Sequence, residues 1–149
     1  MRLELTGIVM TGLGVSTNLE KLRENALSGE NIKMSIDSVL RFSRPEYVEC
    51  VVTVESASDS DAIRLKCSYT GSFAVDAGAA VKSDEHITIS AACTAKIFPY
   101  IRELIADVTR RLPLAAPIIL DPALADEKKL LEQMAKSQQQ SEGETEKTQ

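Results

Sequence analysis

The chain lacks tryptophan, and aromatic side chains make up only 4% of its 149 residues. Its core must therefore be aliphatic, since hydrophobic residues still account for 44% of the sequence. There is one histidine, His86, and there are three widely separated cysteines, Cys50, Cys67 and Cys93. An odd and scattered set of cysteines provides neither a disulfide framework nor a metal-ligand pair. We expect three buried, reduced thiols and no metal site.

The chain also has no excess of positive charge. Its 22 acidic residues outnumber 17 basic ones, and the formal net charge is −5. This balance argues against nucleic acid as the main partner, since phosphate binding needs a basic surface. No apolar run approaches the ~20 residues of a membrane-spanning helix. The N-terminal segment lacks the apolar core of a signal peptide. The sequence thus predicts a cytoplasmic protein that does not insert into membranes.

Groups that could carry out catalysis are sparse. His86 stands beside Glu85 in a polar stretch, and Cys93 belongs to no recognisable cysteine–histidine motif. The pair Gly12 and Gly14 is too short a match to a dinucleotide-binding loop. The sequence therefore predicts a binding or assembly protein rather than an enzyme, with no catalytic residues and no cofactor.

Alternation of apolar and polar residues predicts four strands, at residues 2–16, 31–42, 47–57 and 62–76. Short connections follow the second and third strands, so the last three strands should be antiparallel neighbours. Gly7, Gly12 and Gly14 indicate bulges or bends in the first strand, and Gly71 indicates another bulge in the fourth. Residues 18–27 are predicted as a short helix or a structured loop.

Two helix starts are expected in the middle of the chain. Ser83, Asp84 and Glu85 combine a capping side chain with acids that the helix dipole favours, which predicts a short helix over residues 84–94. Pro99 heads a second amphipathic run. Because proline is tolerated at the first helical turn and is costly deeper in, a separate long helix is predicted over 98–112.

A last helix is predicted to begin at Asp121 and Pro122 and to end near residue 137. Residues 137–149 contain no apolar side chain, so we expect a disordered polar tail after a single domain at 1–136. A run of strands followed by a run of helices defines the α+β class. We therefore predict a four-stranded antiparallel sheet with a long and a second helix packed on one face.

Three segments follow one another in a distinctive order: residues 32–37 (IKMSID), 69–75 (YTGSFAV) and 93–103 (CTAKIFPYIRE). In order and spacing they resemble the SecB family of protein-export chaperones, and the match extends over most of the chain. The last segment is the most specific, since an apolar-Phe-Pro-Tyr turn is followed by an Arg-Glu pair. The resemblance implies the same α+β fold, assembled as a homotetramer that is a dimer of dimers.

The resemblance also implies a function, namely ATP-independent holding of unfolded precursor polypeptides during export and translocation. It further implies the translocase motor SecA as a partner. The family has an acidic docking residue in this strand, whereas residues 64–68 (RLKCS) contain none. Two alternatives remain open. The first is a chaperone dedicated to one client, such as a toxin–antitoxin partner, and the second is an oligomeric adaptor that holds no clients.

Candidate site residues follow from this implied function. Non-specific binding favours flexible aliphatic and methionine surfaces. The candidates for a client-binding groove are Val9, Met10, Val39, Phe42, Leu124, Leu131 and Met134. The apolar surface of the long helix is wider than one sheet face needs, which predicts an oligomer interface unless all of it packs within one subunit. The interface candidates are Phe98, Tyr100, Ile101, Leu104, Ile105 and Val108.

Overall fold

The computed structural model describes residues 2–24, 32–58, 60–76, 85–112, 114 and 117–146. Its four β-strands are β1 (Leu3–Thr17), β2 (Ile32–Arg44), β3 (Tyr47–Ser58) and β4 (Ile63–Val75). Its three α-helices are α1 (Leu19–Glu24), α2 (His86–Arg110) and α3 (Glu127–Glu146), with a short 3-10 turn at Pro122–Ala125. The strand boundaries agree with the sequence expectation to within two residues. The predicted helix at 18–27 forms over part of its length, and residues 25–27 lie outside the described residues.

All neighbouring strands of the sheet are antiparallel, in the order β1-β4-β3-β2. The predicted hairpin pairings of β2 with β3 and of β3 with β4 are confirmed. β1 pairs with β4 instead of with its neighbour in sequence, so β1 and β2 form the two edges of the sheet. The chain must therefore cross from one edge to the other between these strands.

The two faces of the sheet differ in burial. Side chains alternate across a strand, and in β3 the residues Val48, Cys50, Val52 and Val54 are at most 1% exposed while those between them are not buried. The buried side, here called the inner face, is covered by α2. The other side, the outer face, has no described helix packed on it. The hydrophobic core thus lies chiefly between α2 and the inner face, and Leu120, Ala125 and Leu130 extend it toward α3.

The glycines of the sheet serve two different purposes. Register shifts fall between Leu5 and Gly7 and between Met10 and Gly12, which confirms the expected bulges at two of the three β1 glycines. Gly71 pairs regularly with Cys50 of β3, so the bulge predicted at Gly71 is wrong. A Cβ atom at Gly71 would stand 2.9 Å from Cδ1 of Ile97 in α2. Glycine is needed at this position because the helix side chain occupies the space.

α2 is one continuous helix of 25 residues with Pro99 inside it. The prediction of two helices with a break before Pro99 is therefore wrong. A proline in a helix interior costs about 3 kcal/mol through the lost hydrogen bond and the ring clash. Around it, Ile97, Phe98 and Ile101 are at most 2% exposed and hold the helix on the inner face. Their burial contributes about 1.5–3 kcal/mol each, which exceeds the cost of the proline.

The start of α2 also differs from the sequence expectation. Its N-cap residue is Glu85, which makes no side-chain capping hydrogen bond. Ser83 and Asp84 of the predicted start lie outside the described residues. The helix is therefore held by the burial of its apolar face rather than by a capping side chain, in keeping with the tertiary origin of most helix stability.

α3 continues to Glu146, beyond the predicted end near residue 137. Residues 138–146 are rich in glutamine and glutamate, which have high helix propensity, and contain no proline. These residues can extend the helix without an apolar face of their own. The division into a domain at 1–136 and a disordered tail stays a prediction, and residues 147–149 lie outside the described residues.

Replacing Gly71 with alanine tests the close approach of the helix to the sheet. We expect Gly71→Ala to lower the free energy of unfolding by about 1–3 kcal/mol, because the added methyl overpacks against Ile97 and Phe73. Gly14→Ala is the matched control in a strand, since the nearest atom to its Cβ is 4.0 Å away. Urea unfolding measures both. Equal stability of the two variants would contradict this packing.

Candidate functional site

A groove with a volume of about 710 Å³ runs between the edge strand β2 and the helix α3. The beginning of α2 forms its floor, and polar residues of β2 and α3 stand among the apolar ones. The apolar side of this client groove, as we name it, is formed chiefly by Met34, Ile36, Leu40, Phe42, Leu124 and Met134. Phe42 and Leu124 are more than 40% exposed although they are large and apolar. Such exposed apolar surface is typical of a binding site.

Each wall of the groove has a local cause. Alternation along β2 directs Met34, Ile36 and Leu40 to the inner face, where they are only half-buried because no further strand among the described residues lies beyond the edge. On α3, Leu130 and Met134 are four residues apart and so lie on one helix face. Leu130 is buried and Met134 is half-buried, as expected where the helix passes from the core to the groove.

Two contacts tie β2 to the floor of the groove. The rings of Phe42 and His86 are stacked with centroids 4.9 Å apart and planes 27° apart. The hydroxyls of Ser38 and Ser90 are 2.6 Å apart, which joins β2 to α2 by a hydrogen bond. The single histidine thus has a structural partner at the groove.

The segment between α2 and α3 is held by hydrogen bonds, three of which are at least partly buried. The Thr109 hydroxyl donates to the carbonyl of Ile105 at 2.7 Å and accepts the backbone N–H of Ile118 at 2.8 Å. Nε of Arg102 donates to the carbonyl of Leu120 at 2.7 Å. Asp121 then caps the 3-10 turn by accepting the N–H of Ala123 at 2.9 Å. These bonds fix where α3 begins and hence the width of the groove.

Three of the seven predicted groove residues line this groove together, namely Phe42, Leu124 and Met134. Leu131 lies on the same helix but packs half-buried against the core. Val39 borders the groove through its strand, yet its side chain points to the outer face, because its neighbour Ser38 reaches α2 on the inner face.

Val9 and Met10 lie far from the groove, on the opposite edge strand. The strand register aligns Val9, Thr70, Val51 and Val39 in one row across the outer face. Val9 and Val39 therefore do not project into this groove, and their role in client binding stays a prediction. The cause is the alternation of side chains along a strand, because a shift of one residue moves a side chain to the other face of the sheet.

Met10 belongs to a second apolar surface instead of the groove. It pairs with Tyr69, whose ring centroid is 6.5 Å from that of Tyr100 on α2. Leu13 and Val15 of β1 are more than 40% exposed near this edge. Burial raises the pKa of the Tyr69 phenol, which fits its partly covered position.

The predicted oligomer interface divides between core and surface. Phe98, Ile101 and Ile105 are at most 2% exposed in the single chain, so the prediction of an interface through these three is wrong. They face the sheet because their spacing places them on one side of α2. Tyr100 is 41% exposed, and Leu104 and Val108 are half-buried. The role of these last three in an interface stays a prediction.

Sequence reasoning identified Phe42 of β2 but missed Met34, Ile36 and Leu40 of the same strand, and the stacking of His86. Their alternation was visible, but alternation alone does not tell an edge strand from a central one. The position of β2 depends on the pairing of β1 with β4, which joins residues about 50 to 70 positions apart. The half-buried apolar residues of β2 can be assigned to a groove only when this strand order is known.

The three cysteines are buried in the core, each at most 1% exposed. Burial raises the pKa of the Cys67 thiol to about 11. The thiol of Cys93 is hydrogen-bonded to Cys50, and this bond together with burial raises the pKa of Cys93. The thiolate is therefore disfavoured at Cys67 and Cys93, whereas the hydrogen bond with Cys93 lowers the pKa of the Cys50 thiol.

The described ranges contain neither a metal-binding cluster nor a membrane-spanning helix. No group of three or more histidine, cysteine, aspartate or glutamate side chains in these ranges gathers as a metal site would require. No helix of the described chain is both long and apolar enough to cross a membrane. The functional proposal therefore rests on the client groove.

Comparison with known proteins supports the fold. No protein-family model and no curated protein matches the sequence. A SecB-like chaperone from Mycobacterium tuberculosis, solved in complex with a peptide from the HigA1 antitoxin, is similar in structure with a TM-score of 0.62 and 17% identity. The match covers 80% of this chain and 86% of the chaperone.

A protein of unknown function from Streptococcus agalactiae is also similar, with a TM-score of 0.50 and 13% identity. That match covers 81% of this chain and 98% of the other. At such identities the likeness concerns the fold. The chain has a SecB-like fold, so the resemblance and the α+β class predicted from sequence are confirmed at that level.

Thiol labelling tests the burial of the cysteines. At a pKa of about 11, a thiol is only about 0.1% ionised at pH 8, and burial further limits access. We expect an aromatic disulfide reagent to label no cysteine in the folded chain and all three in denaturant. Fast reaction of any one thiol in the folded chain would show an accessible cysteine and contradict this picture.

Substitution of Thr109 tests the attachment of α3. Thr109→Val keeps the side-chain shape but leaves the N–H of Ile118 without its acceptor, at a cost of about 1–3 kcal/mol. We expect faster hydrogen exchange in α3 and at residues 117–120. Thr109→Ser retains the hydroxyl and should retain the protection. If exchange in α3 is the same in all three proteins, the hydrogen bond does not position the helix.

Proposed function

We propose that the protein is an ATP-independent chaperone that holds unfolded polypeptides in the client groove. The observation that carries this proposal is the open apolar channel between β2 and α3, with Phe42 and Leu124 exposed in the folded chain. Exposed apolar surface of this kind is costly in water unless a partner covers it. An unfolded polypeptide supplies the apolar side chains that such a channel accepts.

The composition of the groove favours many clients over one. Met34 and Met134 lie on opposite walls, and the flexible thioether side chain adapts to different partners. β2 is 13 residues long, so its edge extends for about 40 Å, which suits an extended segment better than a compact ligand.

The similar chaperone from Mycobacterium tuberculosis was solved with a peptide of an antitoxin. This observation supports a polypeptide as the client and keeps a dedicated client as the second candidate function. The open groove does not favour an adaptor without clients, because an adaptor would be expected to close its apolar surface.

The proposal includes the location of the protein, the process that it serves and its assembly. We propose that it takes place in the cytoplasm, in protein export, and in a homotetramer that uses Tyr100, Leu104 and Val108 as contacts between copies. Docking to SecA would have to differ from that of the family, because residues 64–68 present Arg64 and Lys66 on the outer face. Lys66 is paired there with Glu55 at 3.0 Å.

A holding assay tests the proposal. A slow-folding precursor is diluted from denaturant with and without the protein, in the absence of ATP, and aggregation and refolding are followed. We expect delayed refolding and reduced aggregation. Phe42→Asp and Leu124→Asp should weaken binding about tenfold or more, because each places a charge in the apolar channel.

The matched control is Val9→Asp, which makes the same kind of change at a 58% exposed position on the outer face. It should hold the precursor as well as the natural chain does. The proposal fails if several unrelated precursors are unaffected by the protein, or if the three variants lose activity equally while remaining folded and unchanged in oligomeric state.

A further inference from the structure

Cys50 and Cys93 come together in the hydrophobic core although they are far apart in the sequence. Cys50 lies on the inner face of β3 and Cys93 lies on α2, and both are 0% exposed. Their thiols are free and are joined by a hydrogen bond. The fold thus places two nucleophilic sulfur atoms in contact, and the client groove makes no use of them.

The path of α2 over the sheet brings the two thiols together. Ser90 is hydrogen-bonded to β2, and Ile97 stands over Gly71 of β4. Cys93 lies between Ser90 and Ile97 on the helix and meets Cys50 of the strand between, which is β3. A helical turn of about 5.4 Å nearly matches a strand spacing of about 4.8 Å, so successive turns stand over successive strands.

The missing side chain of Gly71 lets the helix approach the sheet closely at this point. A Cβ atom there would stand 2.9 Å from Cδ1 of Ile97, and Gly71 is the β4 partner of Cys50. The close approach therefore occurs directly beside the cysteine pair. A disulfide requires Cβ atoms about 3.5–4.5 Å apart, which a close contact between helix and sheet allows.

The two thiols differ in acidity. The hydrogen bond with Cys93 lowers the pKa of the Cys50 thiol, and the same bond raises the pKa of the Cys93 thiol. The buried Thr94 hydroxyl is left without a hydrogen-bond partner in the described chain, and its proximity further lowers the pKa of Cys50. Cys50 is therefore the sulfur that carries negative charge more readily, and Cys93 donates a hydrogen bond to it.

We propose that Cys50 and Cys93 form a disulfide when the protein meets a hydroperoxide, and that this bond fastens α2 to β3. The free thiols are the resting state, and the disulfide is a response to the oxidant. Such a response suits a protein proposed to act in the cytoplasm, where disulfides are usually transient and redox-sensing.

The reaction takes two steps. The Cys50 sulfur attacks one peroxide oxygen, the O–O bond breaks, and the departing hydroxide takes up the Cys50 proton as water, so that Cys50 becomes a sulfenic acid. The Cys93 sulfur then attacks the Cys50 sulfur, the S–O bond breaks, and the departing hydroxide takes up the Cys93 proton. The two thiols together lose two electrons, and hydrogen peroxide is reduced to two water molecules.

Burial limits which oxidants can reach the pair. A large disulfide reagent cannot contact two sulfurs that are 0% exposed in the folded chain. Hydrogen peroxide is little larger than water and reaches such a site through small local openings of the core. The site therefore takes small hydroperoxides rather than bulky disulfides.

The bond strengthens the contact that shapes the groove. α2 forms the floor of the groove, and β2 is paired with β3, so a covalent link between α2 and β3 holds the floor and one wall together. The link also closes a loop between residues 50 and 93, which restricts the unfolded chain. We therefore expect the oxidised chain to unfold at a higher urea concentration than the reduced chain.

Peptide mapping of the natural chain tests the disulfide. The folded protein is treated with hydrogen peroxide, the excess is removed with catalase, and the remaining thiols are alkylated in denaturant before trypsin is added. Because trypsin does not cleave before proline, the three cysteines fall in separate fragments, 42–64, 67–82 and 83–96. We expect fragments 42–64 and 83–96 to be joined, in a chain that has lost two hydrogen atoms, and Cys67 to be alkylated.

Cys67 is the matched control in the same core. It is 1% exposed, and it lies opposite Val54 in the pairing of β3 with β4. Cys67→Ala should form the disulfide as the natural chain does, and its urea midpoint should rise on oxidation and fall again after dithiothreitol. With Cys93→Ala added, peroxide should leave the urea midpoint without that reversible rise.

The outcomes separate the parts of the inference. Absence of the joined fragments 42–64 and 83–96 after peroxide treatment would overturn the disulfide. Joining of Cys67 to either thiol as often as Cys50 is joined to Cys93 would also overturn it, because the contact would then not direct the reaction. A mapped disulfide without a rise in the urea midpoint would contradict the strengthening of the contact between α2 and β3.

Discussion

The packing of α2 on the inner face of the sheet is the contact on which the rest of the structure depends. Ile97, Phe98 and Ile101 are buried in the core, and Gly71 of β4 leaves room for Ile97 because it has no side chain. This burial holds the helix together across Pro99. A helix that ended at the proline would lose the register between its two halves, and with it the connection that leads to α3.

The groove is a consequence of this packing and of the strand order. α2 crosses the inner face and is held to β2 through Ser38 and Phe42, while hydrogen bonds to Thr109 and Arg102 fix the segment that leads to α3. α3 packs against α2 and leaves a channel beside the edge strand. The walls are thus set by core contacts, and the apolar surface between them need not contribute to folding.

Elements with local causes were predictable from the sequence, and those with distant causes were not. The strands were found because half-buried strands alternate, and the α+β class followed from their order along the chain. The predicted helix break before Pro99 does not occur, because the tertiary contacts of Ile97 and Phe98 outweigh the low helix propensity of proline. Val9 and Val39 were assigned to the groove as apolar residues, but one-residue parity and the pairing of β1 with β4 place them on the outer face.

The methionine methyl groups provide the most direct measurement of where a client binds. Met34 and Met134 lie on the two walls of the groove, whereas Met10 lies on the opposite edge strand beside Tyr69. With carbon-13-labelled methionine methyl groups, an unfolded precursor is added and the NMR spectrum is followed. The account predicts that the Met34 and Met134 signals shift or broaden while the Met10 signal stays in place. A change at Met10 with no change at Met34 and Met134 would contradict it.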